Sequence, residues 1–448
     1  MGEEHRTLRY MTRFRCIGAE CEDSCCENWH ILLDKSSYKR IRRALNGSPG
    51  ERKRFGDSVD RCHQAADRKS FYAELKLKPD GSCRFLTSEK QCHLHAHYGE
   101  SVLPNICASY PRVTQLVGER VELSGRLSCP EVARLCLLAE DGVEIDRLEP
   151  EVLEGRRLHA RPIELNPRAP YHQSFDAVRE LAIMLLEARS YPLSSRLFFI
   201  GSLALRVDRH FHECTDVSAM ELLGKEIERL CDPRTLERLH VQLLAASTAD
   251  HRTTHIVGRS LMDLLQAVKH PGFRRVTTQA FASYAGVAPE RIDADSMPES
   301  SMSVREAESA YLQRNRRYSE LGQRIERYFE NYARNYFMTE AYVNSPSLLC
   351  HLEKLLMRMA ILRVLLMGHP RLHRAFEESI RSDVPAGDAC LETLDAAAVE
   401  TFYSFCRGIE HDPHCVASMQ GAWEDVQNPE RLYRLLEFIG GLDAEVDQ

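Results

Sequence analysis

Sixteen cysteines, ten of them before residue 140, are the residues of this chain best suited to chemistry. Four fall within eleven residues: Cys16, Cys21, Cys25 and Cys26. Four more follow singly: Cys83, Cys92, Cys107 and Cys129. Turn and helix-breaking residues flank several, with Gly81-Ser82 before Cys83 and Pro130 after Cys129. Loops of this kind fold thiolates around a metal, and binding then supplies folding energy that a small irregular region lacks. Four thiolates serve structural zinc and an iron–sulfur cluster alike, so ligand type leaves both open. Adjacent Cys25 and Cys26 point apart along most backbones, so the eight allow one four-thiolate site with spare thiols, or two sites. His93, His95 and His97 are alternative ligands near Cys92. Cys62, Cys136, Cys214, Cys231, Cys350, Cys390, Cys406 and Cys415 read as isolated packing thiols.

The elements that must position these thiols are short. Trp29 to Leu33 reads as a strand, and Asp34 as the N-cap of a basic helix through Tyr38, Ile41 and Leu45. Arg112 to Val117 and Arg120 to Leu127 read as a hairpin turned at Gly118-Glu119. A helix starts at Pro130 and runs through Val132, Leu135 and Leu138. Prolines 150, 162, 167 and 170 mark residues 146–172 as a linker. Beyond it the spacing is helical. Ser174 reads as the cap of a run through Val178, Leu181, Ala182 and Leu185. Further helices are predicted from Leu193 to Val207 and over 217–231, 234–246, 254–268, 304–340, 347–368 and 391–409. A loop rich in Pro, Ser and Asp spans 288–303. The expected architecture is mainly α: a Cys-rich metal-binding region with a short hairpin over 1–145, the linker, and an all-helical domain over 173–448.

Composition narrows the function classes. Hydrophobic residues make up 43% and charged residues 28%, which suits a soluble globular chain. The 59 basic residues fall short of the 66 acidic ones, giving −7, and nucleic-acid binding would need a basic face. Lys39-Arg40-Ile41-Arg42-Arg43 is basic but has no interleaved aromatics, and reads as an exposed helix face. No run approaches the roughly 20 apolar residues of a membrane span, and the N-terminal residues lead into no signal-peptide core. A disulfide framework, which suits short exported chains, is therefore not expected, and the cytoplasm is.

Several blocks resemble the flagellin lysine N-methylase family. They are Arg13-Phe14-Arg15-Cys16-Ile17-Gly18-Ala19-Glu20-Cys21-Glu22-Asp23-Ser24-Cys25-Cys26-Glu27-Asn28-Trp29, then Cys83-Arg84-Phe85-Leu86 and Cys92-His93-Leu94-His95. Cys107-Ala108-Ser109-Tyr110-Pro111-Arg112 and Leu127-Ser128-Cys129-Pro130-Glu131 complete the set. Their order and spacing resemble that family's N-terminal region, one of a wider group of zinc- or iron-chelating Cys-cluster domains. Weaker similarity continues at Glu330-Asn331-Tyr332-Ala333-Arg334-Asn335-Tyr336 and Arg407-Gly408-Ile409-Glu410-His411-Asp412. The resemblance implies methyl transfer from S-adenosylmethionine to surface lysines of flagellin, and a [4Fe–4S] cluster ahead of zinc. A non-catalytic metal- or partner-binding protein is the competing reading.

The residues themselves show no strand–Gly–helix turn of a nucleotide fold, so a Rossmann-like methyltransferase is not expected. The radical-enzyme spacing C-x3-C-x2-C is absent too, because Cys26 follows Cys25 directly. Tyr328, Tyr332 and Tyr336, with Glu330, Asn331 and Asn335 nearby, read first as an aromatic core face and second as a pocket wall. Arg407, Glu410 and His411 read as a solvated helix end ahead of a catalytic cluster. No residue is assigned as catalytic or as a binder of S-adenosylmethionine.

Overall fold

The computed structural model describes residues 5–27, 31–62, 71–148, 160–213, 217–246, 252–287, 304–383, 385, 390–410 and 429–440. The chain divides into two compact units. One comprises Met1–Leu135 and Glu144–Pro162, the other Cys136–Val143 and Ile163–Gln448.

The first unit carries two small sheets where the sequence pointed to one hairpin. The hairpin forms at its expected place, as β5 (Arg112–Val117) and β6 (Arg120–Gly125) paired antiparallel with Val117 opposite Arg120. Gly118 takes φ +60° at the turn, a conformation that suits glycine. Around the hairpin, β1 (Arg6–Leu8) pairs parallel to β6, β7 (Ile145–Arg147) antiparallel to β1, and β8 (Arg161–Pro162) parallel to β5. Two of these strands lie in the stretch read as a linker; residues 149–159 between them are outside the described residues. The second sheet has the order β2 (Leu32–Leu33), β4 (Ala73–Leu75), β3 (Val59–Arg61), all antiparallel. β2 falls within the stretch Trp29 to Leu33 read as a strand, whereas the other strands of two or three residues are too short to display an alternating pattern and were missed. Asp34 caps the helix Lys35–Ala44 as expected, its Oδ1 accepting from Ser36 N at 2.7 Å and Ser37 N at 2.8 Å. A compact apolar core gathers Ile31, Leu33, Ile41, Leu75, Phe85 and Leu94, and Cys26, Cys92 and Cys107 pack against it.

The second unit is helical throughout its described elements. Helices span Phe175–Leu186, Leu193–Glu213, Val217–Cys231, Pro233–Ala246 and Arg252–Ala267, close to their expected bounds. Ser174 is the residue before the first of them, but its hydroxyl does not cap. It donates to Tyr171 O at 2.8 Å and meets Tyr342 Oη at 3.1 Å. The expected 304–340 helix is two, Val304–Arg317 and Gly322–Thr339, separated by a 3-10 turn at Ser319–Leu321. Leu348–Met367 is apolar nearly all round and packs against Leu193–Glu213, Pro271–Tyr284, Leu391–Glu410 and Pro429–Gly440. A helix apolar on every side is one that neighbours enclose. Among the described residues no helix is long and apolar enough to cross a membrane. The loop expected over 288–303, and both tryptophans, Trp29 and Trp423, lie outside the described residues.

Candidate functional site

The thiols of the first unit are positioned by backbone bridges. Cys83 N donates to Cys26 O at 2.7 Å, and Leu86 N to Cys83 O at 2.9 Å. Leu86 and Cys92 form an isolated antiparallel bridge, and His93 N reaches Phe85 O at 2.7 Å. Cys92 then stands at the start of the helix His93–Tyr98. The Cys107 and Cys129 blocks are tied to each other, with Tyr110 Oη 3.2 Å from Ser128 Oγ and Arg126 N donating to Pro111 O at 2.8 Å.

Seven of the eight expected ligands fall into one neighbourhood. Cys26 is hydrogen-bonded to both Cys25 and Cys92, and the two bonds together with burial hold its proton. Cys92 is the acceptor; its thiol is lowered to about 6 by Cys26, with Leu94 N and His95 N helping against burial. Cys107 is raised well above the usual thiol range by burial, with Cys25, Cys83 and Cys92 beside it. Burial likewise pushes Cys83 up to about 11, with Cys92 near, and Cys129 up to about 12, with Cys21 and Cys25 near. Cys21 is raised to about 11 by burial, and its Sγ donates to Asp23 O at 3.3 Å. Cys25 touches the field of four others and is the hub. Cys16 is exposed, as is Cys25.

The donor set fits a soft metal centre in type: neighbouring, mostly half-buried thiols that repel one another's charge are those a cation would stabilise as thiolates. Among the described residues, however, no three Cys, His, Asp or Glu side chains surround one point as ligands. The thiols are neighbours, not a closed coordination sphere. Of the alternative histidines, His93 is turned to Glu51 (Nε2 to Oε2, 3.1 Å) and stacks on His97 at 4.2 Å between centroids. His95 is the one whose charge reaches Cys92. Cys136, Cys390 and Cys406 are buried packing thiols as expected, whereas Cys231 is exposed and Cys62 and Cys350 are half-buried. Cys214 and Cys415 lie outside the described residues.

The second unit brings together the two polar motifs that the sequence kept apart. Tyr332 and Tyr336 on Gly322–Thr339 and Glu410 at the end of Leu391–Glu410 meet at Arg358, from the middle of Leu348–Met367. Arg358 Cζ lies 5.5 Å from the Tyr336 ring centre, and Nη1 is 3.9 Å from Glu410 Oε1. Tyr332 is buried with Arg358, Cys406 and Glu410 around its hydroxyl. His351 stacks on Tyr336 at 4.7 Å, accepts its hydroxyl at the backbone oxygen at 3.5 Å, and is lowered to about 3 by burial. Glu340 borders the group. The Arg407–Glu410 end is thus buried and not solvated, the neighbouring helices enclosing it; His411 lies outside the described residues.

The rest of the tyrosine stripe has other partners. Tyr328 Oη donates to Asp395, which also takes Arg324 through both oxygens at 2.9 and 2.8 Å. Asn331 Nδ2 donates to Cys136 O at 2.9 Å and Leu137 O at 3.2 Å. Glu330 binds Arg189 and Arg196. Sequence reasoning missed Arg358, His351 and Glu340. The available signal was Arg358 itself, a charge inside Leu355-Leu356-Met357-Arg358-Met359-Ala360-Ile361-Leu362, since a charged residue within an enclosed helix needs a partner.

A family model described as the FliB lysine N-methylase C-terminal domain matches residues 179–438. Over 137 residues the chain is 28% identical to a Lysine-N-methylase of Salmonella typhimurium, covering 30% of this chain and 33% of that protein. A Lysine-N-methylase of Salmonella choleraesuis aligns with the same identity and coverage. The Flagellar biosynthetic protein FliU of Salmonella muenchen is also 28% identical over 137 residues, there covering 78% of the relative. The alignment therefore spans about a third of the length of either lysine-N-methylase. No solved structure matches.

Proposed function

The chain belongs to the FliB lysine N-methylase family, and on that premise we propose that it methylates protein lysines, using S-adenosylmethionine as donor and flagellin as substrate. The observation that carries the reading is the match over residues 179–438, which covers every residue of the Arg358 centre. The names of the relatives, lysine-N-methylase and flagellar biosynthetic protein, support the reaction and the substrate class.

The reaction joins the ε-nitrogen to the sulfonium methyl while the S–CH3 bond breaks and S-adenosylhomocysteine leaves. The nitrogen needs its lone pair, and a free lysine has a pKa near about 10.4, so its proton must go first. A buried, aromatic-walled setting favours that neutral amine and also receives a sulfonium. We place a metal centre among Cys21, Cys25, Cys26, Cys83, Cys92, Cys107 and Cys129, with [4Fe–4S] ahead of zinc. When bound, it would hold loops that the two- and three-residue strands β2, β3 and β4 hold weakly. The cytoplasm, which keeps thiols reduced, is the compartment for such a centre.

Mass spectrometry of flagellin from cells with and without the gene tests the reading, followed by reconstitution with S-adenosylmethionine. Methyl-lysine increments should vanish on deletion and return with the purified protein. Increments that persist after deletion would overturn the flagellin assignment. The rate should fall as pH falls, because the amine stays protonated.

A further inference from the structure

We infer that the exposed face of the helices Lys35–Ala44 and Pro49–Ser58 docks an acidic segment of a protein partner, one that also carries apolar side chains. The inference goes beyond the methyl-transfer reading and does not depend on it.

The face is a local reversal of charge. Residues 35–61 hold nine basic residues against three acidic ones, a net +6, in a chain whose total is −7, so the remainder carries −13. Lys35, Lys39, Arg42 and Arg43 are exposed and recur at i, i+4, i+7 and i+8, which sets them on one side of their helix. Ser37, Ile41 and Leu45 are buried on the other side. Arg40 is turned inward, donating to Leu103 O at 2.7 Å and Asn105 Oδ1 at 2.9 Å, and is no part of the stripe. The second helix adds exposed Arg52 and Lys53. Arg52 Nη1 donates to Asn46 O at 3.0 Å, and Asn46 N to Arg43 O at 3.3 Å, which brings Arg52 to the end of the first helix.

These charges are not neutralised within the fold. Among the described residues Lys39, Arg42, Arg43 and Lys53 pair with no carboxylate. Of the three acidic residues, Glu51 faces Arg54 at 3.7 Å and His93 at 3.1 Å, Asp60 faces Lys76 at 2.9 Å, and Asp57 is exposed. Arg61 and Lys35 are held by a ring instead, with Arg61 Cζ 4.4 Å and Lys35 Nζ 5.9 Å from the Tyr72 centre. A ring face orients a cation without cancelling its charge. Like charges side by side repel, and an acidic ligand relieves that repulsion.

Charge alone would admit any polyanion, and the neighbouring side chains select among them. Tyr72 N donates to Leu33 O at 2.9 Å, so Phe71 and Leu32, 43% and 40% exposed, lie beside the Lys35 end of the stripe. An acidic protein segment brings carboxylates for the stripe and apolar side chains for Phe71 and Leu32. A nucleic acid brings no aliphatic side chains and wants open stacking faces. Here Tyr38, Phe55 and Tyr72 are half-buried, and Tyr38 packs edge to face on the other two at 5.3 and 5.1 Å. An anionic membrane is a plane that sets its charge against the remaining −13 of the chain. A short segment, within a Debye length of about 8 Å, senses chiefly the basic face.

Fluorescence anisotropy on the full chain decides, with a short labelled peptide alternating Glu and Leu, at about 0.15 M salt. The wild type should bind it saturably and should not bind the counterpart alternating Gln and Leu. Lys39→Gln/Arg42→Gln/Arg43→Gln should weaken binding about tenfold, the combined scale of three exposed pairs. Lys225→Gln/Arg234→Gln/Lys269→Gln, which removes three exposed cations from the other unit, should leave it unchanged. Should the first variant fail to fold, Lys39→Gln/Lys53→Gln gives a smaller loss in the same direction. Phe71→Ser should weaken the alternating peptide and leave an all-Glu peptide unaffected. Equal weakening by the two triple variants, or no binding by the wild type, overturns the inference. Tighter binding of single-stranded DNA or of phosphatidylglycerol vesicles than of the peptide overturns it too, and assigns the face to that partner. None of these outcomes bears on methyl transfer, which mass spectrometry of flagellin reads separately.

Discussion

Glu330 shares two buried arginines with other carboxylates, Arg196 also meeting Glu326 and Arg334 also meeting Glu187. Arg196 Nη1 donates to Glu330 at 2.6 Å and Arg334 lies at 3.9 Å, both arginine side chains being 2% exposed. Burial alone would raise Glu330, but Arg189 and Arg196 outweigh it and hold the carboxyl below its usual range. Glu330→Gln should therefore cost about 1–3 kcal/mol in urea unfolding, below the scale for a wholly uncompensated buried charge because each arginine keeps a second carboxylate. An effect below about 1 kcal/mol, the level of an exposed pair, would contradict this account. In the first unit the matching test concerns the thiols. Cys25→Ser and Cys26→Ser should each lower bound iron or zinc in anaerobically purified protein, because both stand among the gathered thiols. Full metal retention in both variants would mean that the ligand set differs from the one placed here. The eight thiols were legible from their spacing and flanking turns. Which of them gather was not, because proximity across the fold is a tertiary property.

Helices show where local signals suffice and where they do not. Asp34 before a run with Tyr38, Ile41 and Leu45 is a complete local signal, and the helix formed where it pointed. Asp34→Ala should cost about 1 kcal/mol, typical of a lost N-cap, and somewhat more here because Asp34 Oδ2 also accepts from Asn105 Nδ2 at 2.7 Å. The helices Pro271–Tyr284, Pro370–Ser382 and Pro429–Gly440 were missed, and each opens on proline. Proline is tolerated at the first helical position, where its missing N–H would be unpaired anyway, so it marked starts that looked like breaks. Close helix approach is another property the sequence hides. A Cβ on Gly408 would come within 2.9 Å of Phe273 Cβ and 3.0 Å of Val268 Cγ1. Phe273 Cβ is anchored to its backbone and gives little. Gly408→Ala should therefore destabilise by about 1–3 kcal/mol, an overpacking cost that exceeds the roughly 1 kcal/mol gain in helix propensity. A stabilised variant would refute that packing.

At the scale of the whole molecule, the titrating interior of the helical unit sets the response to acid. His351 is lowered to about 3 and His270 to about 4, burial being the main cause in each and Arg407 adding to it at His270. Unfolded, both return to a pKa near about 6.5. Between these limits the unfolded chain binds protons that the folded chain refuses. Stability is thus fully present above about pH 6.5 and falls as pH drops toward 4, by up to about 1.4 kcal/mol per pH unit for each histidine. Glu400 adds a second stage. Burial would raise it, but His369, Arg275 and Arg371 outweigh burial and hold it at about 2. Its contribution stands above an unfolded pKa of about 4.3 and is lost as pH falls toward 2. Urea unfolding from pH 8 to 2 should show midpoints that fall first in the upper stage, before any carboxylate titrates appreciably. His351→Gln should flatten that upper stage and leave the lower one intact, since glutamine stays neutral throughout. A slope between pH 6.5 and 5 that is unchanged in His351→Gln would mean that His351 is free to protonate in the folded chain. That outcome would place solvent at the Tyr336 ring.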